Sequence, residues 1–259
     1  MTALDPSSVD IVLVRPARAG NVALACRAMK AMGLGRLCLV GARADVAAPE
    51  ARALAYGAWD VLDGASRFES LAEAVRASVL VAGTSGRVFE GEVFSPRRLA
   101  EEGGGRSGSG RTSVVFGPES SGLSREELAL CHLTVHVPTH EGQPSLNLAQ
   151  AVLVVAYELR LASRSGPTEA AASHAEGDAD PASAGELEEA LSDFRGAALG
   201  IGYLNPQSPD RLLAEWRRLL ARAVPTRREV ALLRGLARQM AFAAKAIAAP
   251  RAGPDNASG

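Results

Sequence analysis

The feature that most constrains this chain is a series of short apolar runs alternating with stretches of helical spacing. Val9–Val14 (VDIVLV), 37–40 (LCLV), 79–82 (VLVA), 114–116 (VVF) and 133–137 read as five strands. Residues 22–32 read as a helix closed by Gly33, a residue suited to the left-handed position after a helix end. A further amphipathic stretch lies around 68–75. Short apolar strands separated by helices predict an α/β domain with a mostly parallel sheet.

The organisation beyond that domain follows from composition. The first domain is expected to span 1–162. Residues 163–185, rich in Ala, Ser, Gly, Pro and acids, read as a flexible linker. Residues 186–247 read as a helical, basic extension, and 248–259 as a disordered tail. Leu187, Leu191, Phe194 and Ala198 share a helical stripe, as do Leu212, Trp216, Leu219, Leu220 and Ala223. Thr226 and Glu229 have capping-box spacing ahead of Val230, Leu233, Ala237 and Met240. Residues 169–193 hold eight acids and no Lys or Arg, whereas 205–245 hold nine bases and three acids. That reversal leaves two readings of the extension's arginines, a solvated face or an RNA-contacting one. The glycine-rich run 103–110 (GGGRSGSG) reads as a flexible loop.

Whole-chain composition narrows the function classes. A hydrophobic content of 47% supports a sizeable core and excludes wholesale disorder. With 28 Lys+Arg against 29 Asp+Glu, the chain carries no uniform cationic coat. Arginine outnumbers lysine 26 to 2, which fits either phosphate recognition or a GC-rich coding sequence. Three cysteines, no visible signal peptide and no apolar span of membrane length predict a cytoplasmic protein.

The turn after the first strand, RPARAGN, lacks the glycine pattern of a dinucleotide site. The following helix carries Asn21 and Arg27, and Arg27 can lean back toward the helix start, where phosphates are favoured. It reads equally as a surface arginine. Residues 116–123 (FGPESSGL) place Gly117, Glu119 and Gly122 between a strand end and a helix capped by Ser124 and Glu127. They read as a ligand-binding loop or an ordinary turn. Pro144, Ser145, Leu146 and Asn147 open an all-apolar helix that must be buried, part of it against a second subunit. His132 and His136 on one strand would lie about 13 Å apart, too far to share an ion. No G-x-S-x-G elbow accompanies the serines.

Three segments, 20–33 (GNVALACRAMKAMG), 114–128 (VVFGPESSGLSREEL) and 135–159 (VHVPTHEGQPSLNLAQAVLVVAYEL), together resemble the SPOUT superfamily of RNA 2′-O-methyltransferases, in its TrmH-like branch. The likeness covers roughly residues 8–160 and is closer to the bacterial TrmJ group, as are residues 83–87 (GTSGR), 156–160 (AYELR) and the C-terminal helical stretch. The resemblance implies a SPOUT-type parallel sheet flanked by helices, a deep C-terminal trefoil knot, an obligate homodimer, and tRNA as substrate, methylated at position thirty-two of the anticodon loop. It implies S-adenosylmethionine (SAM) held by Thr84, Ser85 and Gly86, by Gly117, Glu119 and Gly122, and by Val137, Pro138, Pro144, Ser145, Leu146 and Asn147. It implies catalysis by Arg27 with Asn21 and Ser145, and no metal, because the sulfonium already activates the methyl. Arginine essentially never deprotonates in proteins, so positioning and charge stabilisation are its physically easier roles. After Arg87 the family's second arginine is missing. Methylation of ribosomal RNA and a non-catalytic RNA-binding role are the alternatives.

Overall fold

The computed structural model describes residues 3–42, 44–86, 93–108, 110–143, 145–164 and 180–248. Its centre is a seven-stranded sheet in the order β3-β2-β1-β6-β4-β7-β5, every pairing parallel. The strands are β1 (Val9–Val14), β2 (Arg36–Val40), β3 (Ser66–Phe68), β4 (Ser78–Thr84), β5 (Val93–Phe94), β6 (Arg111–Phe116) and β7 (Leu133–Val135). The five expected strands are all present. β7 ends at Val135 rather than 137, because beyond it the chain departs after one further bond, from the His136 N–H to the Phe94 carbonyl. β6 and β7 come late in the chain yet insert between earlier strands, on either side of β4. The loops that follow β1, β6, β4 and β7 therefore converge at one edge of the sheet, the edge where open α/β sheets bind ligands.

Alternation along β1 assigns the two faces. Ile11 and Leu13 face α1 (Ala19–Met32), α5 (Pro96–Ser107) and α7 (Leu148–Arg164), packing with Val22, Met29, Leu99, Val152 and Leu159. The short helices α2 (Pro49–Leu54) and α3 (Trp59–Asp63) flank that layer. Val12 and Val14 face α4 (Leu71–Val75) and α6 (Arg125–Ala129), with Leu71, Val75, Leu123 and Leu128 as cover. α1 ends in Gly33 at φ 81, as expected, but begins at Ala19, so Asn21 sits inside its first turn.

One expectation needs correction. The glycine-rich run is not a loop: residues 103–107 complete α5, which Ser95 caps and Pro96 opens. Helical glycine costs roughly 1 kcal/mol against alanine, but Gly103 lets α5 pack where a Cβ would stand 2.7 Å from Leu4. Close packing outweighs propensity there. α7 buries Leu148, Val152, Val155 and Leu159 within this chain, while Leu153, Tyr157 and Leu161 are 41%, 49% and 40% exposed, which leaves that stripe for the second subunit the sequence reading expects.

The extension forms α8 (Ala184–Gly200), α9 (Pro209–Ala223) and α10 (Arg227–Ala248) around Leu187, Leu191, Phe194, Leu213, Val230 and Ala237. On α9 the buried positions are Leu213 and Ala221, whereas Leu212 and Leu219, expected inside, are exposed. The Thr226–Glu229 capping contacts form as their spacing predicts. α8 opens at Ala184 behind a Ser183 cap, within the stretch read as linker. The extension docks on the sheet domain through the α8 Gly185 N–H to the Arg76 carbonyl (3.0 Å), the Arg76–Glu189 ion pair, and Arg106 donating to the Arg222 carbonyl of α9 (3.2 Å). The acid-to-base reversal resolves in part into interhelical pairs: Arg217 bonds Glu188 through two nitrogens at 2.7 and 2.8 Å, and Arg234 bonds Asp193 at 2.9 Å. Arg211, Arg222 and Arg238 form no ion pair among the described residues.

Candidate active site

Three loops meet where β1 and β6 end beside the start of α7. The Asn147 side-chain amide donates to Asn21 Oδ1 at 3.0 Å, and Asn21 Nδ2 donates to Glu119 Oε1 at 2.5 Å. Glu119 Oε2 accepts the Ala17 N–H at 3.2 Å. A carboxylate only accepts, so Glu119 fixes which way the Asn21 amide points, and Asn21 in turn fixes Asn147. Asn147 Oδ1 also takes the Ala149 N–H at 2.9 Å, capping the first turn of α7. Burial pushes the Glu119 carboxyl up. The Asn21 amide and the N–H groups of Glu119 itself, Ala17 and Arg18 outweigh it and hold the group below the usual carboxylate range. It is an ionised acceptor at neutral pH, suited to fixing loops rather than exchanging protons.

The β6–α6 loop closes tightly. A Cβ on Gly117 would lie 2.3 Å from the backbone of Gly122 and Leu123, so only glycine permits this approach. Gly122 adopts φ +67 and its N–H bonds the Pro118 carbonyl at 2.9 Å. At the neighbouring strand ends, Thr84 Oγ1 donates to the Val115 carbonyl at 2.9 Å, and the Ser85 N–H donates to the Val135 carbonyl at 2.9 Å. Gly86 follows, exposed.

The remaining predicted residues fall into two grooves. Val137, Pro138 and Leu146 line one of about 660 Å³, bordered by Arg97, Val154 and Glu158. Arg27 lines another of about 760 Å³ with Lys30, Tyr56, Gln150 and Asn147. Arg27 is exposed and has no ion pair among the described residues. Asn147 thus belongs to both the bonded cluster and the Arg27 groove. Ser145 is exposed, and the bond it makes is through its carbonyl, to Gln143 Nε2 at 3.3 Å, not through its hydroxyl. Pro144 and Arg87 lie outside the described residues.

Sequence reasoning missed Arg15. It sits at φ +46 at the end of β1 and forks onto Glu127, the residue identified only as a capping partner. No local pattern signals a pair 112 positions apart. His132 and His136 flank β7 and contact the neighbouring β4 at different points: His132 Nδ1 accepts the Val81 N–H at 3.2 Å, and His136 Nδ1 lies 3.0 Å from the Ser85 carbonyl, just past the end of β4. Burial pushes His132 down to about 4, so it is neutral at physiological pH. Among the described residues no cluster of three or more His, Cys, Asp or Glu could hold a metal, and no helix is long and apolar enough to cross a membrane.

The model of the SpoU rRNA Methylase family matches residues 8–157, and that of the tRNA methyltransferase TrmJ C-terminal domain matches 186–251. The tRNA (cytidine/uridine/adenosine-2′-O-)-methyltransferase TrmJ of Pseudomonas aeruginosa is 36% identical, over 88% of this chain and 91% of its own length. The tRNA (cytidine/uridine-2′-O-)-methyltransferase TrmJ of Cronobacter sakazakii is 34% identical, over 88% and 94%. The crystal structure of TrmJ from Z. mobilis superimposes with a TM-score of 0.76 at 31% identity, covering 92% of this chain and 99% of that one. With both parts matched in order and relatives aligned along nearly their whole length, the chain belongs to the SpoU methylase family and to its TrmJ group.

Proposed function

We propose that this chain is a SAM-dependent tRNA ribose 2′-O-methyltransferase acting at position thirty-two of the anticodon loop. The observation that carries the reading is the bonded Asn147–Asn21–Glu119 cluster, with the unpaired Arg27 in the groove that Asn147 borders. The TrmJ relatives, tRNA methyltransferases aligned over 94% and 91% of their own length, support tRNA as the substrate.

SAM fits the residues present. The Gly117–Gly122 turn brings bare backbone to the ligand-binding edge of the sheet, and a Cβ at Gly122 would meet nothing within 4 Å. When bound, SAM supplies a methyl group already activated on a sulfonium. Thr84, Ser85 and Gly86, then Gly117, Glu119 and Gly122, then Val137, Pro138, Leu146 and Asn147 are the residues assigned to hold it. Arg27 binds a phosphate beside the target ribose and stabilises the negative charge that builds on the 2′-oxygen as its proton leaves to solvent and the oxygen takes the methyl, the sulfonium sulfur departing as a neutral thioether. Asn21, locked by Glu119, orients the ribose, and Ser145 is assigned to the same task from the open side. Glu119, held below the usual carboxylate range, is too weak a base at neutral pH to take the proton.

In this reading the segment from β6 to α7 forms the family's deep trefoil knot, in keeping with the late insertion of β6 and β7 around β4. The protein works as a cytoplasmic homodimer through the exposed Leu153–Tyr157–Leu161 stripe of α7. The extension supplies tRNA contacts from Arg211, Arg222 and Arg238. The test is methyl transfer from labelled SAM to unmodified total tRNA and to ribosomal RNA, with the product mapped. A ribose methyl at anticodon-loop position thirty-two is expected. Label elsewhere in tRNA overturns the position, label confined to ribosomal RNA overturns the substrate, and no label overturns the activity.

A further inference from the structure

The end of β1 holds a feature that the proposed chemistry does not use. Arg15 is a non-glycine residue at φ +46, a left-handed conformation that an L side chain adopts at a cost. Its backbone N–H bonds the Val40 carbonyl at 2.7 Å, and the stem of its side chain lies against Gly41. From there the guanidinium reaches α6 and grips the Glu127 carboxylate with two nitrogens, Nη1 on Oε1 and Nη2 on Oε2, the latter at 3.1 Å. Glu127 is enclosed, its side chain 13% exposed, and its Oε2 also accepts the Ser124 N–H at 2.8 Å.

These contacts close a ring. Ala17, two residues beyond Arg15, donates its N–H to Glu119. Glu119 belongs to the loop that ends at Ser124, and Ser124 is bonded to Glu127. Glu127 returns to Arg15. The loop that leads to Asn21 and the loop that holds Glu119 are thus pinned to each other twice, by the Ala17–Glu119 bond and by the Arg15–Glu127 fork. A fork of two parallel bonds fixes orientation as well as distance, which a single ammonium contact does not.

We propose that Arg15 and Glu127 are positioning residues: their fork sets the spacing between the two loops and so aligns the Asn21–Glu119 bond. The effect on catalysis rests on the methyltransferase reading; the effect on the loops does not.

The test uses the full chain with Arg15→Gly, Arg15→Lys and Glu127→Gln. Glycine accepts the φ of residue 15 without strain, which offsets part of the cost of losing the fork, so Arg15→Gly is expected to stay folded with a melting temperature within a few degrees of wild type. Glutamine can still accept the Ser124 N–H but offers no second carboxylate oxygen. Amide hydrogen exchange is measured without RNA or SAM, followed by steady-state methylation of tRNA. Both Arg15→Gly and Glu127→Gln are expected to lose protection together in residues 15–21 and 117–127. kcat is expected to fall by about 10- to 100-fold, the scale of a small misplacement of reacting groups, with KM for tRNA little changed. Arg15→Lys is expected to restore only part of kcat. Unchanged protection in both segments of Arg15→Gly overturns the clamp, as does loss of protection with full kcat. A wild-type protein that methylates no RNA overturns the proposed function instead, and the exchange comparison still decides the clamp.

Discussion

Replacing Glu119 by glutamine tests the central cluster with almost no change of shape. The carboxylate accepts Asn21 Nδ2 at 2.5 Å and the Ala17 N–H at 3.2 Å. Glutamine offers one acceptor oxygen and one NH2. Whichever way its amide turns, either Asn21 or Ala17 faces a donor. A hydrogen bond to a charged group contributes about 1.5–3 kcal/mol, and Glu119 is half-buried, so water offsets part of the loss; a net destabilisation of about 2 kcal/mol is expected. At roughly 2–4 °C per kcal/mol for a domain of this size, the melting temperature falls by about 4–8 °C at pH 7. The pH dependence gives a second check. The folded-state pKa of Glu119 lies below its unfolded value, so its stabilisation is fully present above the unfolded pKa and is lost as pH falls through the folded one. The gap between wild type and Glu119→Gln is therefore full at pH 7 and narrows below about pH 4. Calorimetric scans across that range decide it. A gap of less than about 1 °C at pH 7, against an expectation built on one lost charged bond, would refute the reasoning.

Arg27→Ala is expected to abolish turnover while SAM affinity and melting temperature stay at wild-type values, because the side chain is exposed and unpaired; retained methylation would remove its catalytic assignment. His132 is pushed down to about 4 by burial, so the unfolded chain binds its proton first, and stability is lost as pH falls from the ordinary histidine value toward 4. His132→Gln flattens that decline, by at most about 3 kcal/mol and less after discount for the ring's partial exposure; identical acid denaturation of the two proteins counts against the histidine's role. The proposed α7 interface predicts that the wild type sediments as a dimer and Tyr157→Asp as a monomer; a wild-type monomer would refute the dimer, and a mutant that sediments as a dimer would move the interface off α7.

How far the sequence could be read depended on the length scale of the physics. β1 and β4 were legible because a parallel sheet covered on both faces demands continuous apolar runs, and VDIVLV and VLVA supply them. β3 (SRF) and β5 (VF) carry no such run and form because a neighbouring strand offers its edge. The GGGRSGSG run reads as coil by propensity, yet Ser95, Pro96 and the contact with Leu4 make its first residues a helix. On α9 the adjacent Leu212 and Leu213 leave the helical phase ambiguous, and the Arg217–Glu188 pair agrees with the phase that buries Leu213. Segment charge counts could not show that α8 neutralises part of α9 and α10. Glu119 stands out between its two glycines and Asn147 at its helix start, Asn21 gains its role only through the resemblance, and the bonding of the three to one another required the fold.

That bonding also links the two halves of the proposed function. Asn147 does two tasks with two ends of one amide: its oxygen caps α7 through Ala149, and its nitrogen holds Asn21. α7 is also the helix that carries the exposed Leu153–Tyr157–Leu161 stripe, which begins less than two turns beyond Asn147. A second copy packed on that stripe would fix the helix whose first turn orients the catalytic cluster, and it would border the groove in which Arg27 lies with Leu153. In that proposal dimerisation and catalysis would share one helix start, and the partner would stiffen the element on which the candidate site is built.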